Sequence, residues 1–243
     1  PFAVTGGGLV AVLALIIFGG VKRIGKTAEL IVPFMASGYI IIALIIIVVN
    51  IGQLPGVFAL IFRSAFGMDA AFGSILGTAI QWGVKRGVYS NEAGQGTGPM
   101  AAAASEVSHP AEQGLVQAFS VYVDTLFVCS ATAFMILITG MYNTVRGDGT
   151  FIVENIPGVA YGPAYTQMAM DTLIPGFGSA FVALALFFFV FTTLLAYYYY
   201  AESATAYLFR GSKMDKKNVF HIAMLGFLFM TFLGTVRTTD LAW

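Results

Sequence analysis

Residues 30–49 read LIVPFMASGYIIIALIIIVV, twenty residues without one charge. As a helix rising 1.5 Å per residue, such a run is about 30 Å long, the thickness of a bilayer's hydrocarbon core. The run also lacks the polar alternation of a transmembrane β-barrel strand. Outward from it, residues 179–201 (SAFVALALFFFVFTTLLAYYYYA) form a second such span. Residues 114–140 form a third, interrupted by Asp124, and residues 219–236 a fourth, with His221 near its start. Residues 4–20 give a fifth. Residues 55–66 are a shorter apolar piece holding Arg63, read as re-entrant or interfacial. The fold class is an all-α integral membrane protein. With their flanks the spans read 4–20, 28–50, 70–105, 112–140, 179–208 and 218–236, in one incomplete transmembrane domain over 1–243.

Composition agrees. The 243 residues are 58% hydrophobic and 10% charged, and mean hydropathy is +0.84. Soluble domains carry about 25% charge. Twelve basic and twelve acidic residues cancel, so no global field points to nucleic acid. The lone cysteine, Cys129, lies in an apolar run and is read as a small buried hydrophobe. The chain starts at Pro1 and its first apolar run follows almost at once, which reads as a piece of a longer protein.

Basic residues orient the spans. Lys22, Arg23 and Lys26 lie after the first, and Arg210, Lys213, Lys216 and Lys217 before the last. Both groups fall on one side if every intervening segment crosses once, 70–105 included. The positive-inside rule then makes that side the cytoplasm. The loop 141–178 goes outside, with Asp148, Glu154 and Asp171 against Arg146.

That sixth segment holds VYSNEAGQGTGP at residues 88–99, directly after Lys85 and Arg86. Backbone that leaves a helix inside a bilayer survives only when buried in protein or lining a watery cavity. Gly94, Gly96 and Gly98 can open the chain, and Pro99 restricts the residue before it. A broken helix exposes an N-terminus that attracts a carboxylate and carbonyls that attract a cation, a pair suited to an amino acid and a sodium ion. The plainer alternative is a cytoplasmic loop, which would flip every later span.

Other polar residues lie at depth. Asp124 is costly at a helix centre and is expected to meet a cation or donor: sodium, a proton, or Lys85 or Arg86. Thr192 and Thr193 either bond their own helix backbone or ligate sodium through oxygen. Tyr197 to Tyr200 read as interface anchors. His109, Pro110 and Glu112 read as a helix start, and His221 as structural. No Ser/His/Asp set, metal-ligand cluster or phosphate loop is present in the sequence.

Residues 83–140 (GVKRGVYSNEAGQGTGPMAAAASEVSHPAEQGLVQAFSVYVDTLFVCSATAFMILITG) resemble the signature region of the sodium:alanine/glycine symporter family. GGVKRIGKTAELIVPFMASGYIIIALIII (19–47) and YYYYAESATAYLFRG (197–211) resemble the same family, so the likeness runs through nearly the whole chain. It implies a leucine-transporter-type inverted-repeat bundle, with this chain holding about core helices 4 to 9, roughly the second half. The first broken helix, which supplies much of the substrate and sodium coordination, would lie outside it.

Carried over to matching positions, the resemblance implies substrate contacts from Asn91, Ala93, Gly94, Gly96 and Thr97. It implies sodium ligands at Thr192 and Thr193, and a weaker one at Asp124. Glu92 could instead bond free backbone N–H groups at the break. The implied function is sodium-coupled symport of a small neutral amino acid, alanine or glycine, by alternating access in a bacterial cytoplasmic membrane. No cofactor is expected beyond sodium as coupling ion; the partners are the amino acid, sodium and the bilayer, with no nucleic acid. A proton-coupled carrier, with Asp124 or Glu92 titrating, is the alternative. A channel, a structural membrane subunit and a membrane-embedded enzyme are further rivals.

Overall fold

The computed structural model describes residues 2–66, 72–92, 94–145, 149–211 and 216–236. Ala93, Arg146, Asp148 and Lys213 lie outside the described residues.

Helices dominate. They are α1 (Phe2–Ile17), α2 (Gly20–Val49), α3 (Leu54–Phe66), α4 (Phe72–Asn91), α5 (Gly98–Ala102), α6 (Pro110–Val123), α7 (Ser130–Thr139), α8 (Pro163–Asp171), α9 (Phe177–Leu208) and α10 (Lys216–Val236). A π-turn, Asp124–Cys129, joins α6 to α7 in one continuous rod. Two short antiparallel strands, β1 (Asn143–Val145) and β2 (Phe151–Glu154), interrupt the helical pattern in the loop 141–178. They escaped the sequence reading because three or four residues give too short a period to detect.

Among the described residues, four helices are long and apolar enough to cross a membrane: Gly20–Val49, Pro110–Thr139, Phe177–Leu208 and Lys217–Val236. Three of them run to 30 or more residues, about 45 Å, longer than the hydrocarbon core, so they tilt or project into water. α2 begins at Gly20, so Lys22, Arg23 and Lys26 occupy its first turns rather than a connecting loop. Lysine and arginine are good helix formers, and nothing in this stretch stops the helix. Only 17–22% of each spanning window is buried by the chain itself. Large apolar side chains such as Leu30 and Phe34 stand more than three-quarters exposed, a surface suited to lipid.

The chain divides into two compact units. The first comprises Pro1–Met35, Pro99–Ser105 and Phe187–Trp243. Its core joins Leu13 and Ile17 of α1, Ile24 of α2, Phe191, Leu195 and Tyr198 of α9, and Met224 and Leu228 of α10. On α1, α9 and α10 these residues repeat at three- or four-residue steps, the spacing that puts side chains on one helix face. Tyr198 is 8% exposed and meets Phe227 edge-on at 5.5 Å. It is therefore a core residue and not an interface anchor. Four consecutive helical residues cover a full turn, so one of Tyr197 to Tyr200 must face inward.

The second unit comprises Ala36–Gly98 and Glu106–Leu186. Tyr39, Ala43 and Ile46 form the buried stripe of α2, and Ala131, Met135 and Ile138 that of α7. The Tyr39 and Thr132 hydroxyls are bonded at 2.7 Å, and Phe58 meets Phe134 at 5.3 Å. α3 packs on α4 and α7, and α4 on the π-turn. His109 caps α6 by accepting the Ala111 N–H at 3.1 Å, with Pro110 next and Glu112 in the first turn. Asn143 holds the hairpin's return: its amide donates to Ile156 O at 2.8 Å, and its carbonyl accepts the Ile156 N–H at 2.9 Å.

α1 and α10 approach closely at Gly6. A Cβ there would collide with the Thr235 side chain, whose hydroxyl is engaged with Phe232 O, whereas Gly7 and Gly8 face open space. Small residues let membrane helices approach in this way. Gly6→Ala is predicted to lower the melting temperature of the detergent-solubilised intact protein by several degrees, an overpacking cost of about 1–3 kcal/mol. Gly7→Ala should leave it unchanged. Equal melting temperatures for the two variants would show that the α1–α10 contact does not depend on Gly6.

Candidate functional site

α4 stops at Asn91 because the next residues cannot continue it. Glu92 has φ of 52°, Gly94 81° and Gly96 83°. Glycine enters this left-handed region without steric penalty, and an L side chain such as that of Glu92 does so at a cost of about 1–2 kcal/mol. α5 then restarts at Gly98, with Pro99 in its first turn, where a missing N–H costs nothing.

Ending a helix strands its last carbonyls. The break's own polar groups bond carbonyls of the helix's last two turns. The Asn91 amide donates to Gly87 O at 3.2 Å, the Gln95 amide to Val88 O at 3.2 Å, and the Glu92 N–H to Tyr89 O at 3.4 Å. The Gln95 N–H donates to Glu92 O at 3.2 Å. Across the break the Thr97 hydroxyl donates to the Glu92 carboxylate at 2.6 Å. That bond gives Glu92 a structural part in closing the break.

The end of α4 faces the π-turn within the second unit. The Ser90 hydroxyl donates to Asp124 Oδ2 at 2.6 Å, and the Asn91 amide donates to Thr125 Oγ1 at 3.0 Å. A π-turn carries one extra residue, so its hydrogen bonds span five positions instead of four. The Ser130 N–H accordingly bonds Thr125 O, five residues back, and the Ser130 hydroxyl donates to the same carbonyl at 3.0 Å. Cys129 lies the same five residues from Asp124, and its thiol reaches Asp124 Oδ2 at 3.8 Å and Ser90 Oγ at 3.5 Å. Cys129 is exposed within this polar group. The buried-hydrophobe reading of the sequence fails because the π-turn rotates it out of the apolar stripe.

Asp124 was expected to meet a cation or a donor. Its donors are a hydroxyl and a thiol. Lys85 and Arg86 stack over the Trp82 ring, at 4.9 and 5.5 Å from its centre. The structure thus brings together Asn91, Ser90, Asp124, Thr125 and Cys129, with Gly94, Gly96 and Thr97 following in the break. Ser90 and Thr125 were missed as site residues. Their signal was positional: each adjoins a residue already singled out, Asn91 and Asp124.

Thr192 and Thr193 belong to the first unit. Thr192 donates to Phe188 O at 3.0 Å and Phe189 O at 3.1 Å, and Thr193 to Phe189 O at 2.8 Å. A hydroxyl that gives its proton to the helix keeps oxygen lone pairs to offer a cation. Among the described residues no cluster of three or more His, Cys, Asp or Glu side chains is placed to hold a metal ion. His221 accompanies the backbone, its Nδ1 at 2.6 Å from Lys217 O.

Comparison with known proteins follows the same lines. The model of the sodium:alanine symporter family matches residues 1–243. YrbD of Bacillus subtilis (strain 168) is 64% identical over all of this chain and half of its own length. The sodium/proton-dependent alanine carrier protein of Bacillus sp. (strain PS3) is 60% identical over all of this chain and 54% of its own. The sodium/alanine symporter AgcS of Methanococcus maripaludis is 38% identical, over 99% of this chain and 49% of its own. The chain spans about half the length of these relatives. A chain of apolar helices with a polar, glycine-broken segment, matched from its first residue to its last, belongs to the sodium:alanine symporter family.

Proposed function

We propose that the intact protein is a sodium-coupled symporter of a small neutral amino acid, alanine or glycine, in a bacterial cytoplasmic membrane. The observation that carries this reading is the helix break at residues 92–97, with Asn91 at its edge facing the π-turn at Asp124 and Thr125. The names of the PS3 and AgcS relatives point to alanine and sodium. The fold proposed for the whole protein is the leucine-transporter type, cycling by alternating access around a midplane site.

Within this reading, Asn91, Gly94, Gly96 and Thr97 contact the substrate, with Ala93 assigned on sequence alone. Exposed backbone beside glycines leaves room for a ligand with a methyl group or none. Thr192 and Thr193 offer hydroxyl oxygens to sodium, a hard cation, and Asp124 offers an oxygen to a second ion site of its own. One charge moving through 100 mV releases about 2.3 kcal/mol, enough for a roughly fifty-fold gradient of a neutral solute. A proton-coupled carrier is the second reading, favoured by the PS3 relative's name.

The test is uptake of labelled alanine and glycine by cells expressing the intact protein. Replacing sodium with choline at fixed pH should abolish uptake; uptake that persists sinks sodium coupling and favours the proton. Asn91→Ala, checked for membrane expression, should lower uptake at least tenfold by releasing both the Gly87 carbonyl and Thr125. Wild-type uptake in that variant would make the break architecture and not a site. Thr193→Ala should raise the sodium concentration needed for half-maximal uptake, with the maximal rate less affected. An unchanged sodium dependence would remove Thr193 from the ion site.

A further inference from the structure

The end of α9 and the start of α10 both belong to the first unit, and a cavity of about 160 Å³ lies there. Thr205, Ala206, Phe209 and Arg210 line it from one helix, Val219 and Phe220 from the other. The cavity's polar groups are few. The Thr205 hydroxyl donates to Ala201 O at 2.7 Å, so its hydrogen is committed to α9. The backbone N–H groups of Phe209 and Arg210 are engaged too, with Thr205 O at 3.1 Å and Tyr207 O at 3.3 Å. Anion recognition at this cavity therefore falls to the exposed Arg210 side chain, whose planar guanidinium presents a fork of N–H donors matched to a phosphate. The remaining lining side chains, Ala206, Phe209, Val219 and Phe220, are apolar.

The depth of the cavity follows from the chain. Arg210, Lys213, Lys216 and Lys217 gather between the last two spans, at the end that the positive-inside rule assigns to the cytoplasm. The apolar span of α10 begins at Lys217, and Val219 and Phe220 come directly after it. The cavity thus lies where lipid headgroups give way to acyl chains, and Tyr207 and Leu208 beside it stand about three-quarters exposed. A free inorganic anion would exchange its water for apolar walls and one cation, a poor trade. An amphiphile with an anionic head and an apolar tail suits both kinds of wall, and basic pockets between helices at this face favour anionic headgroups. We propose that this cavity binds an anionic phospholipid, its phosphate on Arg210 and the upper part of an acyl chain against Phe209, Val219 and Phe220. The bound lipid would tie the end of α9 to the start of α10.

The test uses the intact protein in detergent, titrated with phosphatidylglycerol or with phosphatidylcholine of the same acyl chains. Bound lipid is counted by native mass spectrometry, and the melting temperature is followed in parallel. The tightest-bound phosphatidylglycerol should bind at least tenfold more strongly than phosphatidylcholine and raise the melting temperature by several degrees. Arg210→Gln should weaken that phosphatidylglycerol at least tenfold and leave phosphatidylcholine within twofold. Ala206→Leu fills the cavity but keeps the guanidinium, and should also weaken it. Arg63→Gln, which removes a cation of the second unit, should leave it unchanged. Equal binding of the two lipids by the wild type would overturn the proposal. So would undiminished phosphatidylglycerol binding in both Arg210→Gln and Ala206→Leu, or an equal loss in Arg63→Gln, which would mark diffuse surface charge. A melting shift reproduced by inorganic phosphate alone would overturn it in favour of a small-anion site. Self-association that Arg210→Gln abolishes, without a lipid preference, would overturn it in favour of a second copy of the chain. None of these readouts needs transport, so their result stands apart from that of the uptake experiment.

Discussion

Inside a bilayer, every backbone N–H and C=O must find a partner within the protein, because no water stands by to accept the loss. That requirement shapes this chain more than any side-chain preference. It explains why helices dominate and why the strands are confined to the loop 141–178. It also sets the terms for the glycine-rich place where the chain departs from a helix after α4. At residues 92–97 the polar composition is the means by which the departure is tolerated. Asn91 and Gln95 take carbonyls of α4, and Thr97 ties the far side back to Glu92.

The same accounting separates the hydroxyl-bearing residues into two kinds. Thr192, Thr193, Thr205 and Thr231 bond carbonyls of their own helices. Ser90 and Thr125 reach across to another element. The first kind lets a polar residue sit at depth without a partner helix. The second fixes α4 against the π-turn by directional bonds, where apolar packing alone would leave α4 free to slide. The residues facing the break are thus positioned by hydrogen bonds, while the core of the first unit is positioned by leucine, isoleucine and aromatic stripes.

Much of this was legible from residue order. Long apolar runs named the helices, and His109, Pro110 and Glu112 marked the start of α6, because capping depends on local chemistry alone. The glycine-rich break was legible for the same reason. What was not legible depended on rotation about a helix axis. Tyr198 shares its composition with Tyr197, Tyr199 and Tyr200, and only the packing against Phe227 distinguishes it. Cys129 reads as part of an apolar run until the π-turn redirects it. The extent of α2 back to Gly20 was hidden because charged residues signal a loop to a hydropathy argument but continue a helix readily.

The π-turn has a consequence beyond the bonds it makes. One additional residue in a turn advances the angular phase of everything that follows by about a quarter of a revolution. The faces of α6 and α7 therefore belong to two different azimuths of one rod. α7 can direct Ala131, Met135 and Ile138 inward while Asp124 and Thr125, at the start of the π-turn, face the end of α4. A straight α-helix of the same sequence would satisfy one of these alignments and spoil the other. The insertion acts as a coupling joint that lets a single rod serve an apolar interior and a polar locus at once.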